Sequence, residues 1–138
     1  MTGNYQHSID AKGRLFIPVR LREELGEVFY VTISMQKCLS GYSLESWGER
    51  EKKVRAMPRD QQIAARPFFS NATRCELDGQ GRILLPKVLR ELVGLESSVT
   101  ILGAGECVEF WDSETYAPIG EAEKKPENIA RIFTELGL

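Results

Sequence analysis

The sequence predicts an α+β protein assembled from two copies of one motif. Residues 10–26 read DAKGRLFIPVRLREELG, and residues 78–94 read DGQGRILLPKVLRELVG, at an offset of 68 positions. Over residues 7–33, 11 of 27 positions are identical to their partners. Inside each copy, short apolar runs lie beside apolar residues at helical spacing, which indicates strands and a helix in the same unit.

Each copy is predicted to have the order β-β-α-β-β. Residues 5–9 alternate between apolar and polar side chains, as in a half-buried strand. The apolar runs at 15–17 and 83–85 are too short for a helix and suit buried strands. Residues 29–34 are rich in aromatic and β-branched side chains, and 39–43 would return as the fourth strand. Such a unit of about 40 residues cannot close a core alone, so we expect the two copies to pair.

A short helix is predicted between the second and third strands of each copy. Pro18 and Pro86 suit its first position, and Gly26 and Gly94 stand where a helix end tolerates positive φ. The apolar face is predicted to carry Leu21 and Leu25 in the first copy and Leu89, Leu92 and Val93 in the second.

A tight D-x-x-G-R turn precedes the second strand of each copy. The aspartate can accept hydrogen bonds from nearby backbone N–H groups or from the arginine, and the glycine permits the turn. The turn-forming residues are Asp10, Gly13, Asp78 and Gly81. An arginine is thereby predicted at the tip of a rigid loop in each copy.

The remaining segments are predicted to be mainly helical. Residues 45–57 show Trp47 and other apolar residues at helical spacing, and residues 60–66 make a second helix with Asp60 as its cap. We expect this helical insert, with the aromatic residues Trp47, Phe68 and Phe69, to be packed rather than solvated. Residues 117–125 read as a linker or a broken helix. A final helix carries an apolar stripe, which we expect to cover the insert rather than a neighbouring subunit: Ile129, Ile132, Phe133 and Leu136. The predicted units are 1–47, 48–71, 72–116 and 117–138.

These motifs resemble a known family. The D-x-x-x-R turn, the following I-P or L-P and the L-R-E-x-x-G helix are similar to the swapped-hairpin barrel of the AbrB and SpoVT type. Two copies joined by a helical insert that ends in ARPFFSNATRCELD resemble the MraZ family. The resemblance implies a pseudo-twofold double-split β-barrel with a helical insert and a C-terminal helix.

The resemblance also implies a function. It indicates a sequence-specific transcriptional regulator of the division and cell-wall gene cluster, including its own promoter. Such a protein would bind short G-rich direct repeats of double-stranded DNA as a ring-shaped homo-oligomer on the nucleoid.

Seven basic residues are the candidate DNA contacts. Arg14 and Arg82 could reach the O6 and N7 acceptors of guanine, or could merely stiffen the turn through an Arg–Asp bond; the resemblance favours DNA. Candidate phosphate contacts, whose alternative is a solvated helix face, are Lys12, Arg20, Arg22, Lys87 and Arg90. The second copy has Gln80 for Lys12 and Val88 for Arg20, so the two half-faces differ in charge.

Composition restricts the other functional classes. The net charge is −2, with eight acidic and three basic residues in 106–138, which is compatible with DNA binding without demonstrating it. No P-loop, Rossmann glycine pattern or metal-ligand cluster occurs, so we expect no cofactor, metal or small-molecule substrate. No apolar run approaches the roughly 20 residues that span a bilayer, and residues 1–10 lack signal-peptide features. A cytoplasmic protein is expected.

Two other functional classes agree with parts of the sequence. His7 and Cys75 occupy equivalent positions and could approach as a Cys–His pair, but nothing supplies an orienting group, so we expect no enzyme. A ring-forming scaffold or protein-interaction module without specific DNA binding remains the alternative, because it would explain the acidic composition and the C-terminal stripe.

Overall fold

The computed structural model describes residues 1–138. The strands are β1 (Asn4–Ser8), β2 (Arg14–Phe16), β3 (Val28–Ile33), β4 (Leu39–Ser43), β5 (Thr73–Glu76), β6 (Arg82–Leu84), β7 (Ser98–Gly103) and β8 (Val108–Asp112). The helices are α1 (Val19–Leu25), α2 (Leu44–Arg55), α3 (Arg59–Ala64), α4 (Arg66–Ser70), α5 (Lys87–Val93), α6 (Ser113–Glu123) and α7 (Pro126–Thr134). The α+β class and the β-β-α-β-β order of each copy are confirmed.

The two copies share one sheet by exchanging their first strands. The antiparallel six-stranded sheet has the order β1-β7-β8-β4-β3-β5, so β1 pairs with β7 of the second copy and β5 with β3 of the first. Strands β4 and β8 join the copies at the centre. The sheet ends at β1 and β5 and does not close on itself, which is compatible with the split-barrel form of the duplicated fold.

A second, two-stranded ladder holds the arginine turns together. Strands β2 and β6 pair antiparallel, with Leu15 opposite Ile83. The side chains of Leu15 and Ile83 are fully buried, and the residues on either side of them face outward. Burial of this middle pair fixes the ladder on the core. Helices α1 and α5 cover the same core through Leu21, Leu25, Leu89 and Val93. Leu92 is exposed, so its predicted place on the buried face is wrong.

The insert packs on the outer face of β3 and β4. Trp47 is buried, with its ring centroid 4.6 Å from Tyr30, 5.1 Å from Phe68 and 5.5 Å from Phe69. Two of these pairs are stacked and one is edge-on, geometries that aromatic pairs prefer. The packed insert is thus observed. Asp60 does not cap α3, which starts after Pro58 with no side-chain cap.

Residues 117–123 are helical rather than a linker. Helix α6 runs through Pro118 and occupies the place in the second copy that α2 occupies in the first. Ser43 and Asp112 cap the two helices, accepting from the N–H groups of Ser46 and Thr115. Pro118 removes one helical hydrogen bond, but packing of α6 on β7 and β8 holds the helix in place.

Helix α7 does not cover the insert, contrary to the sequence expectation. It contacts α6, and the residues of its apolar stripe are exposed. The expectation failed because the cluster around Trp47 is already closed by Phe68 and Phe69 from α4. No helix in the structure has the length and apolar character needed to cross a bilayer.

Candidate nucleic-acid interface

The first arginine turn is built around the carboxylate of Asp10. Its Oδ1 accepts from the backbone N–H groups of Lys12 and Arg14 at 3.0 and 2.9 Å, and its Oδ2 accepts from Nε of Arg14 at 2.7 Å. The backbone of Asp10 closes the turn by bonding to Gly13 and Arg14. Gly13 has φ +83°, a conformation that costs other residues energy. One carboxylate therefore fixes both the turn and the direction of the arginine.

The second turn repeats this arrangement around Asp78. Its Oδ1 accepts from the N–H groups of Gln80 and Arg82, both at 2.9 Å, and Oδ2 accepts from Nε of Arg82 at 2.9 Å. Gly81 has φ +76°. The same local physics, repeated at two sites, makes the turns structurally equivalent.

Hydrogen bonding lowers the pKa of both aspartates. The backbone N–H of Arg14 is the main reason that the pKa of Asp10 lies below its ordinary value of 3.8, and the Arg14 side chain lowers it further. The backbone N–H of Arg82 has the same effect on the pKa of Asp78. Both carboxylates are exposed, so they contribute to local order rather than to a buried ion pair.

The β2–β6 ladder sets the two arginines side by side. Arg14 lies opposite Leu84, and Arg82 lies opposite Phe16, so the arginines are diagonal neighbours on the outward face. Diagonal neighbours in an antiparallel ladder are about 7–8 Å apart. Each guanidinium uses Nε on its aspartate, and its two Nη groups make no hydrogen bond within the chain. The two arginine side chains are 33 and 25% exposed, so their unpaired Nη groups are partly accessible on the same face of the ladder.

The other sequence-predicted contacts divide into two groups. Lys12, Arg20 and Lys87 are exposed, and Lys87 lies 3.7 Å from Glu91. Arg22 and Arg90 are half-buried instead, and each donates through Nε to a backbone carbonyl of its own copy. For all seven residues, contact with DNA stays a prediction.

Comparison with known proteins identifies the family. The family model for the MraZ protein matches residues 1–66 and 68–132. A protein of Acetivibrio thermocellus named "Transcriptional regulator MraZ" is 45% identical, over 99% of this chain and 98% of that one. Relatives with the same name in Heliobacterium modesticaldum and Clostridium botulinum are 49% and 39% identical, again over 99% of this chain and 98% of theirs.

This chain belongs to the MraZ family. Its MraZ relatives are named as transcriptional regulators, which is a non-enzymatic role, and this chain is a transcriptional regulator as well.

The geometry agrees with a non-enzymatic role for this MraZ family member. His7 lies on β1 and Cys75 on β5, at opposite edges of the six-stranded sheet, so the two side chains do not form a pair. Burial raises the pKa of the Cys75 thiol to about 12, which keeps it protonated and unreactive. The His7 ring packs on Phe16, with centroids 5.1 Å apart.

One feature of the MraZ site was missed by the sequence reasoning. The backbone N–H of Ile17 donates to the carbonyl of Gly81, and that of Leu85 donates to the carbonyl of Gly13, each at 2.9 Å. Each turn is thus tied to the other copy. The repeated glycines at 13 and 81 indicated a turn in each copy. The spacing of residues within one copy cannot show that this turn contacts the other copy.

Proposed function

We propose that this chain binds double-stranded DNA sequence-specifically, with Arg14 and Arg82 reading guanine edges in the major groove. The observation that carries the proposal is the paired presentation of two rigid arginine turns on one face. Bidentate contact of an arginine with O6 and N7 of guanine is the commonest specific contact to a base.

The spacing of the arginines suits bases about two steps apart. Their backbone separation of about 7–8 Å corresponds to two base steps of about 3.4 Å and fits within a major groove about 12 Å wide. The Nε bond to aspartate leaves the Nη1 and Nη2 pair for the base. Because the turn already holds the side chain, binding DNA costs less conformational entropy than it would for a free arginine.

The exposed cations fit contacts that set position on the backbone. Lys12 lies in the first arginine turn, and Arg20 and Lys87 lie in the first turns of α1 and α5; all three are exposed. Contacts of this kind supply salt-dependent affinity. Gln80 and Val88 replace Lys12 and Arg20 in the second copy, so the first copy would contribute more of this affinity.

The target and the assembly follow from the family resemblance. The target would be short G-rich direct repeats upstream of the division and cell-wall gene cluster, including the protein's own promoter, which would place the protein on the nucleoid. A ring-shaped homo-oligomer would let several modest faces act together through effective concentration. Contact between subunits through the exposed stripe of α7 would also bury apolar surface that the single chain leaves in water.

The test is a gel-shift titration on the protein's own upstream region and on a scrambled duplex of equal length, at two salt concentrations. We expect a preference of about 10³-fold or more for the upstream region, with both affinities falling as salt rises. Equal, weak binding to the two duplexes would contradict specific recognition. The exposed apolar stripe of α7 favours a second candidate function, a scaffold without specific DNA binding. A scaffold would form the ring-shaped homo-oligomer but would bind the upstream and scrambled duplexes equally.

A further inference from the structure

The geometry points to Arg22 and Arg90 as positioning residues that aim the DNA-reading arginine of the opposite copy. The inference rests on the proposed function for its DNA readout. It gives these two arginines a role other than the phosphate contact that exposure on a helix would suggest.

Arg22 joins its own copy to the second turn. Its Nε donates to the carbonyl of Ile17 at 2.6 Å, and the N–H of Ile17 donates to the carbonyl of Gly81 at 2.9 Å. The guanidinium of Arg22 lies directly on Gly81, so that a Cβ at Gly81 would overlap it. The three residues form one cluster, and Gly81 is the residue before Arg82. Arg22 therefore fixes the position and orientation of the turn at 78–82.

Arg90 makes the mirrored contact with the first turn. Its Nε donates to the carbonyl of Leu85 at 3.0 Å, and the N–H of Leu85 donates to the carbonyl of Gly13 at 2.9 Å. A Cβ at Gly13 would lie 3.0 Å from Nη2 of Arg90 and 3.3 Å from the Leu85 carbonyl oxygen. The reciprocity of the two clusters follows from the duplication, and the close approach of each arginine adds to the positive φ that already favours glycine at both positions.

The surroundings favour a structural partner for these guanidinium groups over a phosphate. Half-burial does not separate the roles, because Arg14 and Arg82 are half-buried as well. The close approach of Arg22 to Gly81 and of Arg90 to Gly13 is what distinguishes these two side chains from the exposed Arg20. The Arg22 guanidinium also stacks over Phe16, 4.7 Å from the ring centroid. A flat guanidinium can stack and donate at once, and a lysine ammonium cannot reproduce this.

The two clusters differ in strength. The residue of the second copy that corresponds to Phe16 is Leu84, which is exposed and offers Arg90 no aromatic face. Arg22 is therefore the more firmly held of the pair, and the turn at 78–82 is the more rigid.

The first experiment needs no DNA. Arg22→Lys and Arg90→Lys are made in the full chain and compared by NMR, with Arg20→Lys as the matched exposed control on α1. We expect Arg22→Lys to shift the backbone amides of residues 78–82 and leave 10–14 unchanged, and Arg90→Lys to do the opposite. Shifts confined to the variant's own turn, or no shifts in either turn, would overturn the inference.

The second experiment uses the upstream duplex. Arg22→Lys is expected to weaken specific binding about tenfold, with an unchanged salt slope, because a base contact is misaligned while no cation is lost. In an Arg82→Ala background Arg22→Lys should cost nothing further, whereas in an Arg14→Ala background its full effect should remain. A phosphate contact predicts near wild-type affinity for Arg22→Lys and a slope about one unit shallower for Arg22→Ala, and that result would refute positioning.

The two arms separate the two hypotheses. If the protein binds no DNA, the proposed function fails while the amide shifts still decide whether Arg22 and Arg90 hold the turns. If the shifts follow the cross-copy pattern but the Arg82→Ala background does not remove the effect on affinity, the clusters order the turns without aiming the arginines, and the inference is wrong.

Discussion

The apolar stripe of helix α7 can be removed without touching the arginine turns, by ending the chain after Lys125. Within the subunit α7 contacts α6, and the one side-chain bond from its first turns runs from Asn128 to the carbonyl of Ala122. A single hydrogen bond of this kind contributes about 0.5–1.5 kcal/mol. The truncated subunit should therefore remain folded and melt only a few degrees lower, at about 3–6 °C per kcal/mol.

The same deletion should have a larger effect on assembly. Ile129, Ile132, Phe133 and Leu136 are 43, 37, 62 and 70% exposed, which together equals about two fully exposed side chains. Burying that much at a subunit contact would contribute about 3–6 kcal/mol. Its loss would weaken association by roughly 10²–10⁴-fold.

Light scattering beside a thermal melt measures both effects. We expect a smaller particle with nearly unchanged melting for the truncated chain and for Phe133→Ser, and wild-type behaviour for the control Ala130→Ser on the same helix. An unchanged particle mass would show that the stripe is not the subunit contact. A large fall in melting temperature would show that α7 stabilises its own subunit, against the exposure in the structure.

Three further outcomes follow from particular residues. Because hydrogen bonds lower the pKa values of Asp10 and Asp78 below 3.8, the order that the two carboxylates give their turns should be fully present above pH 3.8 and should be lost as the pH falls through the lowered pKa values. NMR carboxyl titration midpoints at or above 3.8 would contradict this. Trp47→Ala should lower the free energy of unfolding by about 3–5 kcal/mol in denaturant titrations and leave DNA affinity unchanged while the chain is folded; a loss under about 1 kcal/mol would mean that the aromatic cluster adds little. Lys12→Gln should weaken binding to specific and random duplexes alike and flatten the salt slope by about one unit, with Gln80→Ala as the control; a loss limited to the specific duplex would assign Lys12 to base contact.

The duplication made much of the fold predictable. Strand β4 is Leu39–Ser43, as the sequence predicted, and four of its five residues are buried. The helix ends at Gly26 and Gly94 were predictable for a local reason, since both have positive φ. Features that depend only on nearby residues were predictable because the same residues occur in both copies.

Features that depend on packing between distant segments were not predictable. Pro118 suggested a break in α6, but contact between the Tyr116 and Trp111 rings, 5.3 Å apart, favours a continuous helix. The stripe of α7 indicated a buried face without saying what buries it. The arginine turns themselves were predicted, but each arginine begins a strand instead of standing at the tip of its loop. The contact of Arg22 with Gly81 was not predictable because it depends on how the two copies pack together.

Reading of guanine by Arg14 and Arg82 is tested most directly with DNA that lacks the acceptor they would use. The upstream duplex is prepared with 7-deazaguanine, which removes N7, and its affinity is measured by fluorescence anisotropy for wild type, Arg14→Ala and Arg82→Ala. We expect the modified duplex to bind wild type about tenfold more weakly, and the modification to cost less in each variant because the contact is already lost. Equal binding of wild type to the two duplexes, or an undiminished effect of the modification in both variants, would contradict base reading by these arginines.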